Sequence, residues 1–121
     1  VSFASDLKKI AAQMGAEVDQ VQRAITIDVF NSVIDNTRVD TGRARGNWQT
    51  TTTTPASGDL ETTDKSGAST KAKMVSAVKP KSLMIITNNL PYIGKLEELD
   101  GMVGKTIARI GRIIRERAKG V

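Results

Sequence analysis

The chain has 121 residues, with 18 Lys and Arg against 13 Asp and Glu, and neither Cys nor His. That length suits one domain, and the missing residue types exclude a disulfide framework, a Cys/His zinc site and catalytic triads built on imidazole. The net charge of +5 is compatible with DNA nearby and equally ordinary for a soluble domain.

Apolar residues recur from the start at Phe3, Leu7, Ile10, Met14, Val18, Val21, Ile25 and Val29, in steps of 4 and 3. This spacing predicts a helix from Ser2 to about Thr37 with one continuous apolar stripe. Gly15 lies on its path and weakens a helix interior by about 1 kcal/mol. The prediction is one long helix with a weak point there, or two collinear pieces. A continuous helix would be about 50 Å long, so its N-terminal half is expected to project and pack on a partner. Toward its end the apolar set broadens to Ile27, Phe30, Val33 and Ile34, as in a segment buried on several sides.

Asn36 to Gly42 supplies turn chemistry. Trp48, Gln49 and the threonines 50–54 predict a strand, because β-branched residues favour extended backbone. Residues 55–70 are almost entirely polar and small, which predicts a flexible loop. A short middle helix follows over Ser69 to Val78. Leu83 to Thr87 is a short apolar run, best read as a buried strand. Asn88 to Tyr92 is a turn, and Ile93 to Leu99 is ambiguous between extended and helical. From Met102 to Lys119, Val103, Ile107, Ile110 and Ile114 mark one face of an amphipathic helix, with Lys105, Arg109 and Arg112 opposite. Arg112 and Glu116 are one turn apart and form a weak surface pair. Gly120 ends that helix. The fold class implied is α+β: a long N-terminal helix and a C-terminal amphipathic helix packed on a small, mainly antiparallel sheet, in a single domain spanning 1–121.

Arg43 and Arg45 alternate in a Gly-flanked segment. They could grip phosphate or a neighbour's carboxylates, or one could cap the preceding helix in a solvated turn. Lys105, Arg109, Arg112, Arg115, Arg117 and Lys119 could neutralise phosphates, or could be a solvated face that complements the helix dipole. Glu97, Glu98 and Asp100 have no calcium-loop spacing; they form a surface acidic patch whose best use is to complement a neighbour's arginines. Gly101 to Thr106 ends like a phosphate-binding loop, but position 99 is Leu where that motif needs Gly. No apolar run approaches about 20 residues, so no membrane span is predicted. The first residues lack the basic and apolar regions of a signal peptide, which points to the cytoplasm or a particle built there. No cofactor, metal or enzymatic activity is expected.

Three pieces together resemble the neck and tail-completion proteins of tailed bacteriophages. They are Val39-Asp40-Thr41-Gly42-Arg43-Ala44-Arg45-Gly46-Asn47-Trp48, then Ile86 to Glu97 with Asn88-Asn89-Leu90-Pro91-Tyr92 at its centre, then Gly101-Met102-Val103. The likeness runs over roughly residues 20–118. In related members a longer loop precedes the Gly-Met pair, where this chain has only Glu98-Leu99-Asp100. The resemblance implies a structural virion protein, assembled in the host cytoplasm, that forms a homo-oligomeric ring, hexameric or dodecameric, at the head-to-tail junction. It implies a head-closure or connector protein on one side, a tail terminator or tail tube protein on the other, and DNA passing through the lumen without sequence specificity. On this likeness Arg43, Arg45, Glu97, Glu98, Lys105, Arg109 and Arg112 are interface or lumen candidates. Trp48, Asn88, Asn89, Pro91 and Tyr92 are turn and core anchors. Charge reversal at Arg43 or Arg45 is then expected to block assembly and leave the subunit folded. The alternative is a small DNA-binding or regulatory protein that uses the basic C-terminal helix.

Overall fold

The structure, a computed structural model, describes residues 3–15 and 17–119. The order is α1 (Phe3–Met14), α2 (Val18–Asp35), α3 (Arg43–Gly46), β1 (Gln49–Thr52), α4 (Ala68–Ala77), β2 (Met84–Thr87), α5 (Ile93–Asp100), α6 (Met102–Ala108) and α7 (Ile110–Lys119). The fold is α+β, with helices around one two-stranded antiparallel sheet. Its register pairs Gln49 with Thr87 and Thr52 with Met84.

The predicted long N-terminal helix is two helices, and they are not collinear. Gly15 takes a left-handed φ of 63°, which stops α1 and lets the chain double back. Leu7, Ile10 and Ala11 then bury against Val21 and Ile25. In one straight helix residues 7 and 25 would stand about 27 Å apart. Leu7 and Ile10 of the N-terminal stripe are therefore buried within the chain. The side chains of Phe3, Met14 and Lys119, together with Ser2 and Gly120, lie outside the described residues. A second cluster joins Phe30, Val33 and Ile34 of α2 to Trp48, Met74, Val78 and Met102, with Met84 and Ile86 of β2 packed on it. Alternation along the strands explains this: Met84 and Ile86 share one face of β2.

The segment between β1 and α4 carries no helix or strand but is fastened at several points. Asn47 is fully buried and donates to the carbonyls of Arg43 (2.8 Å) and Leu60 (3.0 Å). Its Oδ1 accepts from the Leu60 N–H at 2.6 Å. Asn89 donates to the carbonyls of Ala56 and Gly58. Asp64 caps α4, accepting from the Thr70 N–H (2.8 Å), the Thr70 hydroxyl (2.7 Å) and the Gly67 N–H (3.1 Å). Desolvation works against the Asp64 carboxylate, but these bonds and the nearby Arg45 outweigh it and hold its pKa below the usual value. Stability from this cap is complete above about pH 4, where an unfolded Asp is ionised, and is lost as pH falls through the depressed folded value. Urea midpoints followed from about pH 6 to about pH 2 should decline at the acid end, and less steeply in Asp64→Asn. An equal decline in the variant would place the acid sensitivity elsewhere.

The predicted C-terminal helix is broken at Arg109, whose N–H is shared between the carbonyls of Lys105 (3.2 Å) and Thr106 (3.0 Å). The buried face of α6 also differs from the prediction. Met102 and Thr106 are buried, while Val103 and Ile107 are exposed. The Thr106 hydroxyl donates to the Met102 carbonyl and meets the Ser32 hydroxyl of α2 at 2.8 Å. Filling the core with Met102 turns the β-branched pair outward. In α7 the predicted face holds better, since Ile114 packs on the α1–α2 cluster. Both C-terminal helices lie against α2, and Met102 alone of their residues joins the cluster beneath the sheet. No helix among the described residues is long and apolar enough to cross a membrane.

Candidate functional site

Arg43 and Arg45 leave the short helix α3 in different directions. Arg43 is half-buried and forms an ion pair with Asp59 at 3.0 Å. Arg45 turns back onto the end of α2. It donates to the carbonyls of Asp35 (3.2 Å), Thr37 (2.8 Å) and Lys65 (2.8 Å). The last carbonyls of a helix have no partner within it, so Arg45 supplies one from 10 residues away in sequence. Trp48 is buried and its Nε1–H donates to the Thr37 hydroxyl at 2.8 Å. That hydroxyl in turn donates to the Val33 carbonyl. The expected core anchor is in place, and it ties the strand entry to α2.

Asn88 fixes its turn from both ends. Its amide donates to the Ala44 carbonyl at 2.8 Å and its Oδ1 accepts from the Leu90 N–H. Leu90 carries the turn's apolar anchor and is buried, whereas Pro91 and Tyr92 are exposed. Tyr92 and Leu96 line a cleft of about 460 Å³ with residues 38–44, so Arg43 and Tyr92 come together there.

Glu97 is committed within the chain. Its two carboxylate oxygens accept from the N–H groups of Val103 (2.9 Å) and Gly104 (3.1 Å), which caps the start of α6. Glu98 is the more open acid of the two: its side chain is 74 % exposed and, among the described residues, it pairs with Lys95 at 3.7 Å. The predicted Arg112–Glu116 pair forms at 3.0 Å. Lys105, Arg109 and Arg112 are all exposed. Arg109 borders a groove of about 480 Å³ between α2 and α7, lined also by Asp28, Asn31, Asp35 and Glu116.

Several ion pairs escaped the linear reading because their partners are far apart in sequence, and two of them have paired bonds. Arg38 meets Asp100 with two bonds of 2.6 and 2.7 Å and ties the end of α2 to the end of α5. The guanidinium bonds outweigh desolvation and hold the Asp100 carboxyl below its usual range. The same bonds raise the pKa of Arg38. Arg117 grips Asp28 with bonds of 2.9 and 2.6 Å and holds α7 to α2. One residue of the predicted basic face is thus taken up inside the fold.

Part of the uncovered surface is apolar. Eight large hydrophobic side chains are exposed among the described residues; Leu99, Val103 and Ile107 are on α5 and α6, Tyr92 immediately precedes α5, and Val39 stands in the loop after α2. Among the described residues no three His, Cys, Asp or Glu side chains gather to hold a metal ion. Comparison of the chain with known protein families, curated proteins and solved structures returns no match.

Proposed function

We propose that the chain is a structural subunit of a homo-oligomeric ring at the head-to-tail junction of a tailed phage, joining the head connector to the tail around a channel for DNA. The observation that supports this reading is the exposure of Leu99, Val103 and Ile107 on the consecutive helices α5 and α6, with Tyr92 just before them. Apolar surface collected in one place is a mark of subunit contact, whereas singly scattered residues are not. The ordered likeness of residues 39–48, 86–97 and 101–103 to neck and tail-completion proteins supplies the place in the particle. Arg43, partly exposed in the cleft it lines with Tyr92, remains an interface candidate on this reading; Arg45 and Glu97 act within the subunit. A stop codon in this gene, introduced into the phage that carries it, should give filled heads and separate finished tails by electron microscopy. Overlong tails would make the subunit a tail terminator. Normal infectious particles would overturn the structural reading.

A second reading is favoured by one observation. Arg109 and Arg115 of the C-terminal helices are exposed and have no carboxylate partner among the described residues. A small DNA-binding protein would use them on phosphates. Duplex binding that persists at moderate salt and weakens steeply as salt rises would support that reading.

A further inference from the structure

We infer that the ring contact joins two unlike faces of neighbouring copies: the aliphatic row Leu99, Val103 and Ile107 of one copy, and the outer face of α4, around Ala72, Val75 and Ser76, of the next. The inference rests on the ring reading and names the surfaces that would make the ring.

The row is 58 %, 37 % and 62 % exposed at its three positions. Val103 and Ile107 stand one turn apart on α6, so they form a ridge. Leu99 precedes them at the end of α5. The side of α6 that buries Met102 and Thr106 is already filled, and among the described residues the ridge stays exposed.

The face of α4 has the opposite relief. This helix buries Thr70 and Met74. Ala72, Val75 and Ser76 are left outside. Ala72, Lys73, Ser76 and Ala77 line a shallow depression. Small side chains there leave room for the larger ones of a ridge to seat.

The two faces belong to different sides of the subunit. Arg23 of α2 donates to the carbonyls of Val75 (2.9 Å) and Val78 (3.0 Å) at the end of α4. Ser32 of α2 reaches Thr106 of α6. Nine residues are about two and a half helical turns, so Arg23 and Ser32 leave α2 in opposite directions. The helices they hold flank α2. A contact between unlike surfaces on different sides of a subunit repeats head to tail until it closes, which is how a ring forms.

The charges agree with this pairing. Glu98 lies beside Leu99 and is only loosely met by Lys95. Lys73 on α4 is exposed and has no carboxylate partner among the described residues. Bringing the faces together sets Glu98 of one copy against Lys73 of the next. Opposite charges at a rim set orientation more than affinity.

The chain has no Cys, so introduced cysteines report cleanly. Full-length Ile107→Cys and Ala72→Cys copies, both changed at exposed positions, would be mixed and mildly oxidised. The mixed dimer should exceed either homodimer by about tenfold, and the double variant should give a ladder that stops at the closed ring. Adding Glu98→Lys should reduce the mixed product by about fivefold, and Lys73→Glu in the other copy should restore it. A dominant Ile107–Ile107 product would mean a two-fold contact and overturn the proposal. Cross-linking no greater than from a Lys9→Cys control, with the unmodified chain having the native mass of a ring, would place the contact elsewhere and leave the ring reading intact. A monomeric mass with no cross-linking would end both.

Discussion

Replacing Gly42 by Ala is expected to destabilise the fold by about 3 kcal/mol or more, with a fall in melting temperature of roughly 10 °C or more. Two separate costs combine at this residue. Gly42 has a φ of 88°, and left-handed backbone costs a residue with a Cβ about 1–2 kcal/mol. An added Cβ would also stand 2.6 Å from the Lys65 nitrogen and 2.8 Å from two backbone atoms of Asp64. Those atoms are backbone and cannot rotate away, so the whole 62–65 segment must shift. That segment is pinned by the bond from the Asp64 N–H to the Gly42 carbonyl at 2.9 Å and by the Asp64 cap on α4. The damage would therefore spread from a turn to the middle helix. Thermal unfolding followed by circular dichroism measures it, and an unchanged midpoint would refute this account of the turn. Gly46 faces the same segment, where a Cβ would meet the Thr62 carbonyl at 2.9 Å.

Arg45→Glu should lower stability by about 3 kcal/mol, while Arg43→Glu should cost about 1 kcal/mol or less. The two arginines look equivalent in sequence but do different work. Arg45 satisfies three carbonyls at once, and bonds from a charged donor contribute about 1.5–3 kcal/mol each site lost, less whatever water restores. A carboxylate in its place would confront those same oxygens with like charge. Arg43 loses one half-exposed ion pair to Asp59, and such pairs are worth little. Urea unfolding of the two variants separates them. Equal midpoints would mean that the Arg45 bonds contribute nothing net. Reversal at Arg45 would disturb the subunit's own bonds as well as any contact, so Arg43→Glu is the cleaner probe of assembly.

Much of the local structure was legible in the residue order. The threonine run marked β1, though the predicted strand ran through Thr54 and the observed one stops at Thr52, before Thr53 takes a φ of 75°. The apolar run Leu83 to Thr87 marked β2, expected to be buried and found half-buried over Met84–Thr87. Arg112 and Glu116 pair because a helix brings neighbours one turn apart together, whatever the rest of the fold does. Asn88 accepts from the Leu90 N–H, a short-range bond that any Asn in that setting can make, whereas its bond to the Ala44 carbonyl exists only in the folded chain. Residues 68–70 of the polar segment 55–70 proved to be the first turn of α4, but as far as Gly67 the segment was legible as lacking regular structure. Its anchoring was not, because Asn47, Asn89 and Asp64 act across gaps that only the folded chain closes.

By itself the sequence determined the fold class, the two strands, the buried Trp48 and the exclusion of Cys and His chemistry. These follow from residue type and periodicity, which are local properties. The tertiary structure decided where Gly15 sends the chain: period alone cannot distinguish a stripe that continues from one that folds back, and burying Leu7 and Ile10 against Val21 and Ile25 settled it. It decided that Glu97 caps α6 and that Arg45 caps α2, because the orphan backbone groups of a helix end are found only once the ends are placed. It also decided that Val103 and Ile107 face outward. Both fit the predicted buried row, but the cavity beneath the sheet takes the longer, flexible Met102, and the Thr106–Ser32 contact holds α6 in that rotation.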